Sequence, residues 1–292
     1  MYPDIPYENL SWPVTQHAGV IERDAVEGLL HACSSCQGKK VNPETISTYF
    51  KGKGLLTANF RSDSNRDDTW RDYQQILSEF GLIYSTRICK ELKLTSVAKA
   101  YLNGNLTYRE MMTLQILRYQ YPNGHKTKVT KKQYINGIRL RPAVLIWDVL
   151  NGLWEKGANP VLTREEMQSY VVRCIRNDDY NKCVEAIVRA RSDKTKYPII
   201  PEARRNLSDW MKVLSQTLLF KTSENGSTLG LTSYAIMEQT RIISACEKLR
   251  DEGDYWDYSS SENFQEEWFD YYGEYESNKE LVFRESGGYN VQ

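Results

Sequence analysis

Histidine is scarce in this chain: His17, His31 and His125 are the three, far apart in the sequence. That leaves little for histidine-based acid–base chemistry. No G-x-S-x-G, no P-loop and no H-E-x-x-H occurs to supply catalytic machinery of known spacing. Long apolar runs are missing as well. None approaches the ~18 to 20 residues of a membrane helix, and the opening MYPDIPYENLSWPV lacks the basic-then-apolar layout of a signal peptide. A cytoplasmic protein with no membrane partner is expected. Cysteine is sparse: Cys33, Cys36, Cys89, Cys174, Cys183 and Cys246 are too irregularly spaced for a disulfide framework and should be reduced. The one metal-like spacing, His31-Ala32-Cys33-Ser34-Ser35-Cys36, has no second pair of ligands such as a structural zinc site needs. A helix end with small thiols is the plainer reading.

What the chain does have is material for folded cores: 40% hydrophobic residues, seven Trp and 20 Tyr, with a charged fraction of 26% typical of globular proteins. Its 292 residues give room for two domains, each usually of roughly 100 to 150 residues. The formal charge of zero hides an asymmetry. From Asp251 onward there are 12 acidic residues against two basic ones, so the first 250 residues carry 36 basic and 26 acidic, a net of +10. A body of that sign attracts polyanions, although charge spread unevenly over a solvated surface gives the same count.

One segment occurs twice without a gap, 137 residues apart. Asp72 to Ala98 (DYQQILSEFGLIYSTRICKELKLTSVA) aligns with Asp209 to Ala235 (DWMKVLSQTLLFKTSENGSTLGLTSYA), and nine of the 27 positions are identical. Repetition decides how the rest of a chain divides. Here it suggests two copies of one small domain. Within each copy the period changes midway. Tyr73, Ile76, Leu77 and Phe80, like Trp210, Val213, Leu214 and Thr217, recur at helical spacing. Leu82-Ile83-Tyr84 and Leu218-Leu219-Phe220 then read as a short strand, followed by a turn and a returning strand (ICKELKL, GSTLGL). Thr95 or Thr232 is placed to cap a further helix. Helix, strand, turn, strand is the back half of a winged helix.

The preceding segments supply the front half. Residues 18 to 37 have Val20, Ile21, Val26, Leu29 and Leu30 at helical spacing, with Gly38 to end the helix, and Asn42-Pro43-Glu44 opens a second one. A Gly-punctuated stretch and the charged loop RSDSNRDD lead to the first copy. Before the second copy, an apolar helix runs from Pro142 to near Gly157, Thr163 and Glu166 form a capping box, and DDYNKCVEAIVRARSD gives a third helix. Between the copies, Leu106 to Tyr121 is a helix capped by Thr107 with Glu110, ending at Pro122-Asn123-Gly124. After Asp251 the acids are interleaved with aromatics, which disordered acidic tails lack. A helix from Ser261 to Tyr272, capped by Ser261 and packed on the body, is expected.

The fold class expected is therefore mainly α with small β-hairpins, as two tandem winged-helix subdomains. The division is 1–121 for the first with its N-terminal arm, 122–141 for a basic junction, 142–250 for the second, and 251–292 for the acidic-aromatic helix and a linker-like end. A winged helix places one helix in the major groove of duplex DNA, where base edges are distinguishable, while cationic side chains hold phosphates. The junction carries Lys126, Lys128, Lys131, Lys132, Arg139 and Arg141 and no acid. With Arg61, Arg66, Arg87 and Lys90 around the first copy, and Arg204 and Arg205 before the second, these are the candidate DNA-binding residues. The copies differ most in the turn: Arg87, Lys90, Glu91 and Lys93 stand against Glu224, Ser227, Thr228 and Gly230, so the first, cationic wing is expected to touch DNA.

Two other readings stay open. Asp72 with Glu91-Leu92-Lys93 has the acidic-then-E-x-K order of magnesium-dependent nucleases, whose carboxylates share a metal ion. Thr228 and Gly230 at the matching positions of the second copy favour a wing strand instead. The chain could also be a protein-interaction or regulatory winged-helix protein with the aromatic-acidic tail as its partner surface.

Tyr121 to Gly124, Arg141-Pro142, Leu162 to Glu166 and Phe264 to Trp268 together resemble the N-terminal DNA-recognition region of type IIS restriction endonucleases of the BpuJI kind, over roughly residues 15 to 280. The resemblance implies a monomeric, sequence-specific module that binds double-stranded DNA at a short asymmetric site. Cleavage would lie in a separate, covalently linked C-terminal nuclease domain, which would hold the Mg2+. No catalytic residue, metal or cofactor is then expected among these 292 residues, and the Gly-rich end would be a linker.

Overall fold

The computed structural model describes residue 12 and residues 21–39, 66–89, 91–125, 127–193, 203–250 and 255–285. The expected helix at 42–50 lies outside them. In chain order the first helices are α1 (Arg23–Ser35), α2 (Arg66–Glu79), α3 (Thr86–Cys89), α4 (Ser96–Leu102), α5 (Tyr108–Arg118), α6 (Thr127–Ile135) and α7 (Pro142–Glu155). Strand β1 (Val161–Thr163), α8 (Arg164–Ser169), α9 (Tyr180–Asp193), α10 (Ala203–Ser215), β2 (Phe220–Thr222), β3 (Thr228–Leu231), α11 (Ser233–Met237), α12 (Gln239–Arg250) and α13 (Phe264–Tyr272) complete them. The described residues are mainly helical, with one three-stranded antiparallel sheet of order β1-β3-β2 among them. Contacts divide the described residues into two units, one holding Trp12 and 116–260, the other 21–115 and 261–285.

In the first unit, α7 is the central element. PAVLIWDVLNGLWE is apolar round most of its circumference, and Pro142 at its first turn gives up no hydrogen bond. Eleven of its 14 residues are buried, as a helix apolar on all sides must be. Its neighbour α9 comes close at Gly152, where an added Cβ would lie 2.9 Å from Val184 Cγ2. Thr163 and Glu166 form the expected capping box: the Thr163 hydroxyl accepts from Glu166 N (3.1 Å) and the Glu166 carboxylate from Thr163 N (2.9 Å). Glu166 also receives both Nε and Nη2 of Arg191, whose guanidinium further donates to the carbonyls of Asn159 and Val161. That clamp joins α9 to the start of β1. Trp210 of α10 is fully buried against Tyr119, with ring centroids 5.0 Å apart, and lies edge-on to Trp12.

The repeat is structural as well as sequential. In the second copy Phe220 pairs with Leu231. In the first, the matching residues Ile83 and Leu94 form an isolated antiparallel bridge. Thr232 N donates to the Leu219 carbonyl at 3.0 Å, and Thr95 N to that of Leu82 at 3.2 Å. Each threonine caps the next helix, through Ala235 N and Ala98 N. Each also donates its hydroxyl back to the helix–strand corner, at Leu218 and Gly81. Leu229 pairs with Leu162 of β1, while its counterpart Leu92 exchanges backbone hydrogen bonds with Gly38 and Lys39, at 3.0 and 3.3 Å.

The first copy departs from expectation between these anchors. No returning strand starts at Ile88: Ile88 and Cys89 donate to the Ser85 carbonyl in the helical turn α3. Tyr84 is the physical reason, because its hydroxyl donates to Asp270 and its ring packs 5.6 Å from Phe269, holding the chain to α13 where a strand would run on. Gly81 stands where the second copy has Leu218. Its φ of +66° and the atoms of Tyr272 and Gln115, 2.6 and 2.7 Å from a hypothetical Cβ, leave room for glycine alone.

The aromatic end of the chain is core. Trp268, Phe269 and Tyr272 of α13 are at most 1% exposed, and the Gln115 amide reaches the carbonyls of Phe80 and Tyr272. The helix begins at Phe264, with Asn263 rather than Ser261 as N-cap. Ser261 instead accepts from Asn263 N and donates to Glu267. The Thr107–Glu110 box at α5 is present too, and Glu110 additionally takes Arg284 at 3.0 Å and Glu285 N at 2.9 Å.

Candidate nucleic-acid interface

The basic stretch after Gly124, expected as a junction, forms the helix α6 within the first unit. Local hydrogen bonds fix both ends. The Asn123 side chain accepts from His125 N at 2.8 Å, and the Thr130 hydroxyl donates back to the Asn123 carbonyl. At the other end Gly137, with φ +70°, lets Ile138 N return to the Gln133 carbonyl at 3.1 Å, a Schellman closure. Thr130, Gln133 and Ile138 are buried, and Tyr134 lies 5.3 Å from the Tyr258 ring. Lys128, Lys131 and Lys132 are all exposed. At spacings of three and four they form one face.

The other junction cations do different work. Arg139 is half-buried, donates its backbone N–H to Ile175 O at 3.0 Å and faces Asp257 at 3.9 Å. Arg141, expected among the phosphate contacts, is fully buried. Its guanidinium donates to the carbonyls of Leu249 (2.8 Å) and Arg118 (2.7 Å) and stacks over the Tyr255 ring at 4.6 Å. Asn177 clamps its backbone on both sides and also accepts from the Tyr255 hydroxyl. This arginine holds the first unit together and has no free fork for a phosphate.

Of the remaining candidates, Arg66 begins α2, Arg87 lies in α3, and Arg204 and Arg205 are in the first turn of α10. Their side chains, and Arg61, Lys90 and Lys126 altogether, lie outside the described residues. In the nuclease-like trio, Asp72 is in α2 and Glu91 is exposed. The Lys93 ammonium sits 3.8 Å over the Tyr84 ring. Among the described residues no three His, Cys, Asp or Glu side chains are grouped to hold a metal ion. Burial pushes the Cys33 thiol up to about 12, the state of an inert core thiol. No described helix is long and apolar enough to cross a membrane.

The turn between β2 and β3 is braced by hydrogen bonds. Ser223 and Asn225 accept from Ser227 N at 3.1 and 3.0 Å, and Arg164 Nη2 donates to Gly226 O at 2.7 Å. Arg164 was not singled out by the sequence, because its target lies 62 residues away. The α6 face, by contrast, could have been found from the three- and four-residue spacing of its lysines.

Helices around a small antiparallel sheet, with an acid-free cationic helix on the surface, make this a helical module suited to an anionic partner. Residues 57–286 match the family described as the N-terminal part of restriction endonuclease BpuJI, and the chain belongs to that family. Among solved structures its fold is similar to the BpuJ1 endonuclease binding domain crystallised with pyrene- and phenanthrene-modified DNA, with a TM-score of 0.65 and 13% identity. The likeness covers 85% of this chain and 91% of that one. No curated protein sequence matches the chain.

Proposed function

We propose that this chain is the sequence-specific double-stranded DNA recognition module of a restriction endonuclease, built from two winged-helix subdomains. The observation that carries the reading is the paired architecture of the two copies. In the second, α7, β1, α8, α10, β2 and β3 come in the sequence of a winged helix, with α9 inserted between α8 and α10, and the sheet order is β1-β3-β2. In the first, Gly38–Lys39, Leu92–Leu94 and Leu82–Tyr84 repeat the same adjacency. On this reading α10, carrying Arg204 and Arg205, is the second copy's groove helix. The braced β2–β3 turn is its wing. Family membership supports the endonuclease context, and two unlike units in one monomeric chain suit a non-palindromic, type IIS site.

Cleavage, and the Mg2+ it needs, belong in this proposal to a separate nuclease domain linked to this one, in a cytoplasmic enzyme. The recognition chain does no chemistry itself. Gel-shift titration of duplexes at several salt concentrations tests the binding half: affinity should differ between sequences and should fall steeply with salt. Uniform, salt-insensitive affinity contradicts it. Incubation with plasmid and magnesium tests the other half. Intact plasmid is expected, whereas cutting abolished by Glu91→Ala would assign a nuclease to Asp72, Glu91 and Lys93.

A further inference from the structure

We infer that the exposed face of α6 is a preformed track for the DNA phosphate backbone, a different element from the groove helix and wing assigned to the second copy. The inference rests on the DNA-binding reading and names a surface that a winged helix does not require. Three observations carry it. First, the sequence from 111 to 147 contains no Asp or Glu at all, so the helix has no acid on itself or on the connections to either side. Second, Lys128, Lys131 and Lys132 are exposed and form no ion pair with a described residue, while the nearby acid Asp257 is directed to Arg139. Third, the helix is anchored. Thr130 and Gln133 are each 1% exposed, the Gly137 closure fixes its end, and the Tyr121–Leu140 bridge ties the chain just beyond.

Anchoring matters because an ordered cationic face has already lost the backbone freedom that binding would otherwise remove. Spacing fits as well. Lys128 and Lys132 lie about 6 Å apart along the helix axis, close enough for their long side chains to hold neighbouring phosphates of one strand. Ile135, 70% exposed one turn further on, extends the stripe with an apolar side chain suited to the sugar rings between phosphates. Contacts of this kind position a protein on the duplex without reading bases. They therefore add affinity and salt dependence while leaving sequence preference alone.

The test is fluorescence anisotropy of a fluorescein-labelled random-sequence duplex and of a duplex enriched by selection, titrated from about 50 to about 200 mM salt. The wild-type chain is compared with K128Q/K131Q/K132Q, and with K156Q/K182Q/R189Q as an equal loss of charge from exposed positions elsewhere in the same unit. Thermal unfolding checks that all three fold. The α6 variant should show a log K against log salt slope smaller in magnitude by about 2 to 3, with the affinity ratio between the two duplexes unchanged. The control variant should retain the wild-type slope. An unaltered slope in the α6 variant, or an equal reduction in both variants, overturns the track while leaving duplex recognition standing. Absence of duplex binding by the wild type overturns both.

Discussion

Arg141 shows how a single cation changes meaning between sequence and structure. In the sequence it is one of six basic residues in a run without acids. In the fold it is buried, with carbonyls of Leu249 and Arg118 on its fork and Tyr255 on its face. None of these partners is local, so spacing could not separate it from the solvated lysines. Arg141→Ala should lower stability by about 3 kcal/mol or more, since two charged hydrogen bonds go and buried carbonyls lose their donor. Arg141→Lys should rescue little, because an ammonium lacks the planar fork. Chemical denaturation checks both. A second residue-scale prediction concerns Asp148, held by Arg250 through two hydrogen bonds of 2.7 and 3.0 Å. Burial raises its carboxyl to about 6, against the lowering effect of Arg250. An unfolded Asp titrates near ~3.9, so between these values the native state keeps a proton that the unfolded state has released. Stability from this group is therefore highest below the lower value and falls as pH rises through the window. The stability of wild type minus that of Asp148→Asn should decline from about pH 4 to about pH 6, and a difference that is flat or rising contradicts it.

Caps are the elements that sequence reading recovers best, because the hydrogen bond that defines a cap is made within three residues. Thr95, Thr107, Thr163 and Thr232 all act as expected. The two repeat caps differ in burial: Thr95 is 2% exposed, whereas Thr232 is only half-buried. Loss of a cap costs about 1 kcal/mol. At Thr95 the substitution also strands the Gly81 carbonyl away from water, so Thr95→Ala should cost about 2 kcal/mol and Thr232→Ala about half that. Equal losses in parallel denaturation curves would contradict the burial argument. The missing strand of the first copy was illegible for the opposite reason. It depends on Tyr84 meeting Asp270, 186 residues away. In α6 only the spacing of the lysines marked a helix, because two of its buried residues, Thr130 and Gln133, are polar and give no apolar period.

At the scale of the whole molecule, the 27-residue repeat, its copies 137 residues apart, is a shared frame with divergent edges. The shared leucines and threonine caps hold the same corner in both units, as the matched bridge and hydrogen bonds show. What differs is what each corner carries. The second copy extends into a braced hairpin, while the first is drawn into a helical turn against α13. The strand expected to return from Ile88 in the first copy is replaced by a helical turn for that reason, so the two copies differ in structure at this corner. The charge asymmetry has a structural counterpart too: much of the acidic end is core-forming helix, with Trp268, Phe269 and Tyr272 facing inward. Selection from a pool of random duplexes, followed by sequencing, tests the central claim most directly. Enrichment of one short asymmetric motif is the predicted result, and a pool that stays random after repeated rounds would contradict it.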